Sequence, residues 1–142
     1  MKTISKILII LPLLHAFCCS SKDTHTHENK KHIHKIVIDQ VDFDIMTFAD
    51  ISCNDFENAF TNMKKQTIIT NPKEILLLEN YIENLVLVDS SHRKAVDTRA
   101  KIFLISHTDT TELCMDRFVT FHNDNYHKTS SKLRSYIENL DN

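Results

Sequence analysis

From residue 36 onward, the spacing of apolar residues predicts an alternation of strands and helices. Apolar and polar residues alternate over residues 36–48, where Val41, Phe43 and Ile45 fall on one side of the chain. A period of two is typical of a strand with one buried face. Further strands are predicted at residues 66–70, 96–106, 112–115 and 118–122, with a short edge strand at residues 126–128.

Three other segments carry apolar residues at the spacing of an amphipathic helix. Ser52 is suited to cap the first helix. The second helix begins at Asn71, which caps it, and Pro72, a residue preferred at the first helical position. Ser130 or Ser131 caps the third helix. The three apolar stripes comprise Phe56, Ala59, Phe60 and Met63; Ile75, Leu78, Tyr81, Ile82 and Leu85; and Leu133, Tyr136, Ile137 and Leu140.

These elements follow the order β-α-β-α-β-β-β-α, and residues 36–142 are expected to form a single α+β domain. Consecutive strands joined by short turns predict a small, mainly antiparallel sheet. The helices are expected to cover one face of that sheet, because each has a single apolar stripe. We expect the second helix to be the most buried, since Leu76, Leu77 and Val86 widen its stripe.

The chain contains no glycine. P-loops, dinucleotide-binding fingerprints and the Gly-x-Ser-x-Gly elbow all need glycine where the backbone crowds a phosphate or takes a positive φ angle. The sequence therefore excludes these three kinds of site. Tight turns must place Asn or Asp in left-handed conformations instead, and residues 122–125 are the clearest example.

The first 21 residues have the pattern of an export signal. Lys2 and Lys6 give a short positive start, and residues 7–14 form an apolar stretch that is too short to span a bilayer. Cys18 and Cys19 follow, with two serines behind them. This segment resembles the signal peptide and lipobox of bacterial lipoproteins, which implies cleavage before a cysteine whose thiol then carries lipid.

We expect cleavage after residue 18 and lipidation at Cys19, because Ala16 and Cys18 then provide small residues at the third and first positions before the cleavage site. Cys18 is the alternative lipidation site. The resemblance implies a protein of the cell envelope that is anchored by lipid to a bacterial membrane, since two or more acyl chains give a stable anchor. An ordinary secretory signal, and hence a secreted or periplasmic protein, is the alternative.

The charge of the mature chain bears on its partners. Removal of residues 1–18 leaves 15 basic and 19 acidic side chains, a net charge of −4 with histidine neutral. Nucleic-acid binding requires a clustered basic face. Nucleic acid is therefore not expected among the partners.

Residues 19–35 form a polar, histidine-rich arm that we interpret as a tether between the lipid and the domain. His25 and His27 make one His-x-His pair, and His32 and His34 make another. Alternate residues of an extended chain face the same side, so each pair presents two imidazoles together. Because imidazole suits Zn²⁺ and Cu²⁺, the arm is a candidate site for either ion. A polar tether that merely tolerates histidine is the alternative, and no other cofactor is expected.

Cys53 and Cys114 are the two cysteines of the predicted domain. Disulfides persist outside the cytoplasm, and a bond between these two would close a loop of about 60 residues. Two separate buried thiols are the alternative. A third interpretation makes Cys53 a catalytic thiol with His92, His107 or His122 as its base, but no local signature of a cysteine hydrolase surrounds it.

Three charged residues, Asp97, Arg99 and Lys101, alternate along one predicted strand and share a face with Phe103 and Ile105. Asp97 and Arg99 are spaced to form an ion pair or to mark a polar site. We interpret this set as the solvated face of the sheet, where such charges contribute little to stability.

No motif in the chain specifies a reaction or a ligand. We therefore expect a non-catalytic accessory or binding module of the cell envelope, whose sheet face or loops contact a protein, a peptide or a component of the envelope. The alternative is a metal-handling lipoprotein that collects Zn²⁺ or Cu²⁺ through its histidine-rich arm.

Overall fold

A computed structural model describes residues 32–89 and 95–141, which form an antiparallel sheet with helices packed on it. The strands are β1 (Ile33–Gln40), β2 (Lys65–Ile69), β3 (Val86–Leu87), β4 (Ala100–Ser106), β5 (Thr110–Met115), β6 (Val119–His122) and β7 (Asn125–Lys128). The helices are α1 (Phe56–Ala59), α2 (Pro72–Glu83) and α3 (Ser131–Glu138), followed by a 3-10 turn at Asn139–Asp141.

The seven strands lie in the order β2-β1-β4-β5-β6-β7-β3, and every neighbouring pair is antiparallel. The predicted α+β class with a mainly antiparallel sheet is confirmed. The predicted element order is not matched, because it lacks β3 and does not count the short edge strand at residues 126–128, which is β7. β3 pairs with β7, so the segment predicted as a short edge strand has a neighbour on both sides.

The first strand differs most from its prediction. β1 ends at Gln40 rather than continuing to residue 48, and it begins at Ile33, within the segment predicted as the tether. Asp42 explains where the strand ends: its Oδ1 accepts a hydrogen bond of 2.7 Å from the backbone N–H of Asp44, and its carbonyl accepts one of 3.1 Å from Ile45. This Asx turn diverts the chain out of the sheet.

Two helices, α2 and α3, cover one face of the sheet. Ile36, Ile38 and Ile102 point to this face and are fully buried in one apolar cluster with Leu78 of α2 and Ile137 of α3. Burying each large aliphatic side chain contributes roughly 1.5–3 kcal/mol, so this cluster supplies most of the apolar stabilisation.

The opposite face of the sheet, which we call the open face, carries the side chains of Val37, Phe103, Glu112, Cys114 and Phe121. Strand register places these residues together: Phe103 pairs with both Val37 and Glu112, and Cys114 pairs with Phe121. The open face is half-covered, since Val37, Phe103 and Phe121 all remain partly exposed.

The short helix α1 lies on the open face, which corrects the expectation that all helices cover one face. Its Phe56 and Phe60 form a small separate cluster with Val41. Lys64, just after α1, approaches the Asp39 carboxylate of β1 within 3.4 Å. Asp39 lies two residues after Val37 in β1, so it is on the open face, and so is its partner Lys101.

The expectation that Leu76, Leu77 and Val86 would make α2 the most buried helix is not met, because all three are exposed. Ile75, Leu78 and Ile82 are buried as predicted. Leu76 and Leu77, expected to widen the stripe, are 62% and 39% exposed. The stripe by which a helix packs on a sheet includes about three residues in every two turns. Leu76 and Leu77 lie outside that stripe, so their side chains do not pack on the sheet.

Two of the three predicted helix caps and the tight turn follow the sequence, whereas Ser52 does not cap the first helix: α1 begins after Asp55, whose side chain makes no cap hydrogen bond. Asn71 accepts a hydrogen bond of 2.9 Å from Lys73 N–H at the start of α2, and Ser130, rather than Ser131, caps α3 by accepting one of 3.2 Å from Leu133. In the β6–β7 turn, Asn123 and Asp124 have φ angles of 48° and 58°. These two residues take the left-handed positions that glycine would otherwise occupy.

Within the described ranges, no helix is both long enough and apolar enough to cross a membrane. The predicted signal segment and its cysteines, Cys18 and Cys19, lie outside the residues that the structure describes.

Candidate functional site

A cleft of about 730 Å³ lies on the open face of the sheet. One wall is the segment of residues 50–54 that precedes α1, and the facing wall is the β6–β7 hairpin. The first residues of β5 lie between them. The lining residues are Asp50, Ser52, Cys53, Asn54, Ala95, Val96, Asp109, Thr110, Thr111, Glu112, Phe121, Asn123, Asp124 and Tyr126.

The first wall is fixed to the sheet at two points. Ile51 donates its N–H to Asp97 Oδ1 over 2.8 Å, and its carbonyl accepts from Thr98 N–H over 2.8 Å. Two residues later, Cys53 is joined by a disulfide to Cys114 of β5, with their Cα atoms 5.7 Å apart. The wall is therefore held in place by the backbone of the β4 lead-in and by a covalent bond.

The side chain of Arg99 links Asp97 to the residues that precede this wall. Its guanidinium forms two hydrogen bonds with the Asp97 carboxylate, and it also donates to the Ile45 carbonyl and the Thr47 hydroxyl at 3.2 and 3.1 Å. The ring of Phe60 lies 5.7 Å from the guanidinium carbon. Five planar donors let one arginine bond several groups at once, so Arg99 orders the chain that leads into the cleft.

The interpretation of Asp97, Arg99 and Lys101 as a solvated face is therefore wrong. Arg99 and Lys101 are 5% and 7% exposed. Strand alternation correctly puts them on one face, but it carries no information on α1 and its preceding segment, which cover that face. Asp97 and Arg99 do form the ion pair that their spacing allowed.

Glu112 lies at the floor of the cleft, against the disulfide. Its Oε1 is 3.0 Å from the sulfur of Cys53 and 3.6 Å from that of Cys114. Its Oε2 is 3.3 Å from the Lys101 ammonium, which in turn lies 5.4 Å from the centre of the Phe103 ring. The buried Lys101 thus holds the carboxylate of Glu112 at the sheet surface.

The facing wall presents two aromatic rings. Phe121 of β6 and Tyr126 of β7 are paired across the hairpin, with ring centroids 5.0 Å apart and planes inclined by 49°. Both rings are half-buried. The turn that joins their strands is fixed by a hydrogen bond of 2.7 Å from the Asn125 amide to the Asn123 carbonyl. The hairpin therefore offers the cleft a preformed aromatic surface.

Acidic side chains contribute to the described lining of the cleft. The lining includes four carboxylates, of Asp50, Asp109, Glu112 and Asp124, and its described residues include no lysine, arginine or histidine. Lys101 offsets Glu112 from beneath. Among the described residues, no hydrogen bond or ion pair engages the Asp124 side chain at the turn. Asp50 and Asp109 also take part in interactions, so the lining is not a set of free carboxylates.

Metal ligation has one geometric candidate among the described residues. Cys53, Glu112 and Cys114 place ligand-type atoms within 4.8 Å of one another. A thiolate is the form of cysteine that binds a metal, and here the two sulfurs are bonded to each other. The group therefore offers one carboxylate rather than three ligands while the disulfide is intact.

The predicted histidine site is only partly described. His25 and His27 lie outside the described residues; His32 is exposed, and His34 lies in β1. The His34 ring stacks on that of His107, with centroids 4.7 Å apart and planes 15° from parallel. An ion lies in the plane of the imidazole that binds it, so two stacked rings do not share an ion unless one of them rotates.

The interpretation of Cys53 as a catalytic thiol finds no support in these contacts. The Cys53 sulfur is part of the disulfide. His122 pairs with Leu113, and is therefore on the opposite face from Cys114. His107 stacks on His34, and His92 lies outside the described residues.

A second exposed apolar feature lies at the end of the sheet where β1 finishes. Met46, Phe48 and Phe118 are 95%, 114% and 72% exposed. Met46 and Phe118 line one shallow depression of about 300 Å³. Arg99 donates to the Ile45 carbonyl and to the Thr47 hydroxyl, so the residues on both sides of Met46 are bonded to the sheet.

Sequence reasoning missed the aromatic wall, although a signal for it existed. The turn at residues 123–125 was predicted, and a two-residue hairpin turn fixes the register of its strands. That register pairs Phe121 with Tyr126. What the sequence did not contain was the proximity of residues 50–54, which depends on the disulfide and on Asp97.

Comparison of this chain with protein-family models, curated proteins and solved structures finds no match.

Proposed function

We propose that this chain is a non-catalytic binding module of the bacterial cell envelope, held at a membrane by lipid on Cys19, that takes a ligand into the cleft of the open face. The cleft is the single observation that carries this proposal. Its volume of about 730 Å³ is within the range of small-molecule sites, roughly 300–1,000 Å³. The mixture of paired aromatic rings with a few polar groups is also typical of such sites.

Rigidity of the walls supports binding. The disulfide fixes one wall and a hydrogen-bonded two-residue turn fixes the other. A preformed site loses less conformational entropy when a ligand enters, which favours affinity. Walls of this kind suit a receptor more than an enzyme that must close over its substrate.

The chemistry of the lining supports a non-catalytic role. Cys53 has no free thiol in the disulfide form, and the described lining contains no imidazole. The Ser52 hydroxyl donates to the Asp55 carboxylate over 2.6 Å and accepts from Asp55 N–H over 3.2 Å. Both bonds stay within the turn before α1, so the hydroxyl serves to fix that turn.

A nuclear magnetic resonance titration of the mature chain tests the proposal. The probes are butylamine, butanol, butyrate and methyl glucoside, which represent four ligand classes. We expect at least one probe to shift the amide resonances of Thr111, Glu112, Phe121 and Tyr126, and to be recovered chemically unchanged. Shifts confined to other parts of the chain, the absence of any shift, or conversion of a probe would each contradict it.

A further inference from the structure

We propose that Met46, Phe48 and Phe118, which we call the apolar tip, insert into the surface of the membrane that holds the lipid anchor. The inference rests on the anchor at Cys19 in the proposed function and adds a second contact between the domain and the bilayer. It does not depend on what the cleft of the open face binds.

The apolar tip comes from two loops that leave the same end of the sheet. Strand register places the last residue of β1 opposite the first residue of β4, and that residue opposite the last residue of β5. The chain after β1 carries Met46 and Phe48, and the turn after β5 carries Phe118. Because Met46 and Phe118 line the same depression, the two loops contribute to one surface.

The side chains of the tip are exposed although their loops are bonded to the rest of the domain. The residues on both sides of Met46 accept hydrogen bonds from Arg99. In the other loop, the Asp116 carboxylate accepts the N–H of Phe118 over 2.6 Å and that of Val119 over 2.7 Å. Large apolar side chains that stay together in water on fixed loops are typical of a surface that contacts a membrane or another protein.

The length of the arm lets the tip reach the membrane. β1 begins at Ile33, at the opposite end of the sheet from the tip. The eight residues of β1 separate the two ends by about 26 Å, at about 3.3 Å for each residue of a strand. The 14 residues from Cys19 to His32 span up to roughly 46 Å when fully extended. An arm of this length can therefore run back past the domain while the tip faces the lipid.

The anchor also explains why the lipid surface is the favoured partner of the tip. A tether converts the second contact into an intramolecular event, so a weak contact forms at a high effective concentration. Three apolar side chains are few for holding a free protein at a membrane, but they suffice to orient one that is already anchored there. A soluble protein partner has no such advantage.

Charge around the tip favours insertion of apolar side chains over attraction to anionic lipid. The depression between the two loops is lined by two aspartates and two arginines, whose formal charges cancel. Arg117, next to Phe118, pairs with the Asp44 carboxylate over 2.5 Å. The loop after β1 also carries Asp42 and Asp50. We therefore expect binding to zwitterionic lipid, with little dependence on salt.

The chain contains no tryptophan, so one introduced indole reports on its own surroundings. Phe48→Trp places the indole in the tip, and the matched control Leu76→Trp places it at an exposed apolar position of α2. The lipidated mature chain is reconstituted in phosphatidylcholine vesicles with and without bromine on the acyl chains, which quenches an indole on contact. We expect Phe48→Trp to lose about half of its emission to brominated lipid, and Leu76→Trp to lose none.

Removal of the other tip side chains provides the second arm of the experiment. In the Phe48→Trp background, we expect Met46→Ser and Phe118→Ser each to shift the equilibrium about tenfold toward the unquenched state, because each removes a large apolar side chain from the contact. Leu76→Ser in the same background is the control and should leave quenching unchanged. All three positions are exposed, so each variant should keep the urea midpoint of its parent.

The outcomes separate this inference from the anchor on which it rests. If the protein sediments with the vesicles but Phe48→Trp is quenched no more than Leu76→Trp, the inference is overturned and the anchor stands. Quenching that requires phosphatidylglycerol and disappears with added salt would assign the contact to charge and would also overturn it. An indole that is shielded from aqueous acrylamide without vesicles, at high protein concentration, would assign the tip to contact between copies of the chain. Failure to sediment with vesicles would remove the anchor itself.

Discussion

Arg99 and Asp97 form a two-pronged ion pair, with Nη1 2.6 Å from Oδ1 and Nη2 2.7 Å from Oδ2. The same Oδ1 atom of Asp97 accepts the N–H of Ile51, at the entrance to one wall of the cleft. One carboxylate thus links a buried guanidinium to the segment that carries Cys53. Stability and the shape of the cleft therefore depend on the same pair.

Breaking this pair is expected to destabilise the domain strongly. Asp97→Asn leaves the Arg99 guanidinium, which is 5% exposed, without its charge partner, and an unpaired buried charge costs about 3 kcal/mol or more. Arg99→Lys is expected to have a similar effect, because an ammonium cannot reproduce the two parallel bonds. Urea unfolding measures the change.

Arg134→Lys serves as the control for Arg99→Lys, since its ion pair with Glu138 spans 3.7 Å and its side chain is 37% exposed. We expect the free energy of unfolding of this variant to lie within about 0.5 kcal/mol of that of the wild type. If Asp97→Asn lowered the free energy of unfolding by no more than the control does, the pair of Asp97 and Arg99 would contribute little to stability.

The Cys53–Cys114 bond is expected to contribute about 4 kcal/mol to stability, because it closes a loop across a sequence separation of 61 residues. The double variant Cys53→Ala, Cys114→Ala should lose roughly that amount in denaturant unfolding. In the unreduced, denatured protein, neither cysteine should react with an alkylating agent. Complete alkylation of both would mean that the native protein has two separate thiols.

Local signals in the sequence predicted the parts of the fold that depend on local chemistry. The Asn71 cap, Pro72 at the start of α2 and the left-handed Asn123 and Asp124 follow from the backbone preferences of single residues. The end of β1 was not predicted, because the alternation of apolar residues continues past Gln40. Asp42 ends the strand by a side-chain bond that a count of apolar positions ignores.

The candidate site depends on contacts between distant parts of the chain, so the sequence revealed less of it. Cys53 and Cys114 were identified as a candidate disulfide, with two separate thiols as the alternative, because cysteines are few and chemically specific. Burial of Arg99 and the approach of residues 50–54 to Phe121 need the sheet and α1 together. No periodicity within one segment encodes such a contact.

Acid is expected to destabilise the domain through His122. Burial lowers the pKa of the His122 imidazole below its usual range, and the nearby His127, 6.2 Å away between ring centroids, lowers it further. As the pH falls through about 6.5, the unfolded chain takes up a proton at this position before the folded chain does. Stability therefore falls until the pH passes the lower pKa of the folded state.

The variant His122→Gln isolates this effect, because an amide keeps hydrogen-bonding groups but does not titrate in this range. We expect the loss of unfolding free energy between pH 7.5 and pH 5.5 to be smaller in the variant than in the wild type. Parallel pH profiles for the two proteins would assign the acid sensitivity to other groups.

Lipid anchoring is tested by cell fractionation. If Cys19 carries the lipid, Cys19→Ser should move the protein from the membrane fraction to the soluble fraction, because the variant lacks the acyl chains that anchor it. Cys18→Ser is the matched control and should remain with the membrane. If only Cys18→Ser releases the protein, the lipidated residue is Cys18 and cleavage occurs one residue earlier. If neither variant releases it, the lipoprotein interpretation is wrong and the segment is an ordinary secretory signal.

Metal binding by the histidine-rich arm is the alternative function, and it makes a distinct prediction. Zn²⁺ or Cu²⁺ should bind the mature chain, and changing His25, His27, His32 and His34 together to Ala should abolish that binding. Affinity should fall below about pH 6, because imidazole must be neutral to act as a ligand. Without metal, the melting temperature of the four-Ala variant should match that of the wild type, since a tether adds little to the core.

The structure adds an order of importance within the arm. His34 is in β1 and stacks on His107, so binding an ion would require its ring to leave that stack or turn within it. His32 precedes β1 and is exposed. We therefore expect His32→Ala to weaken metal binding more than His34→Ala in an isothermal titration. Equal affinity in the wild type and the four-Ala variant would reduce the arm to a spacer, and the cleft of the open face would then be the remaining site for a ligand.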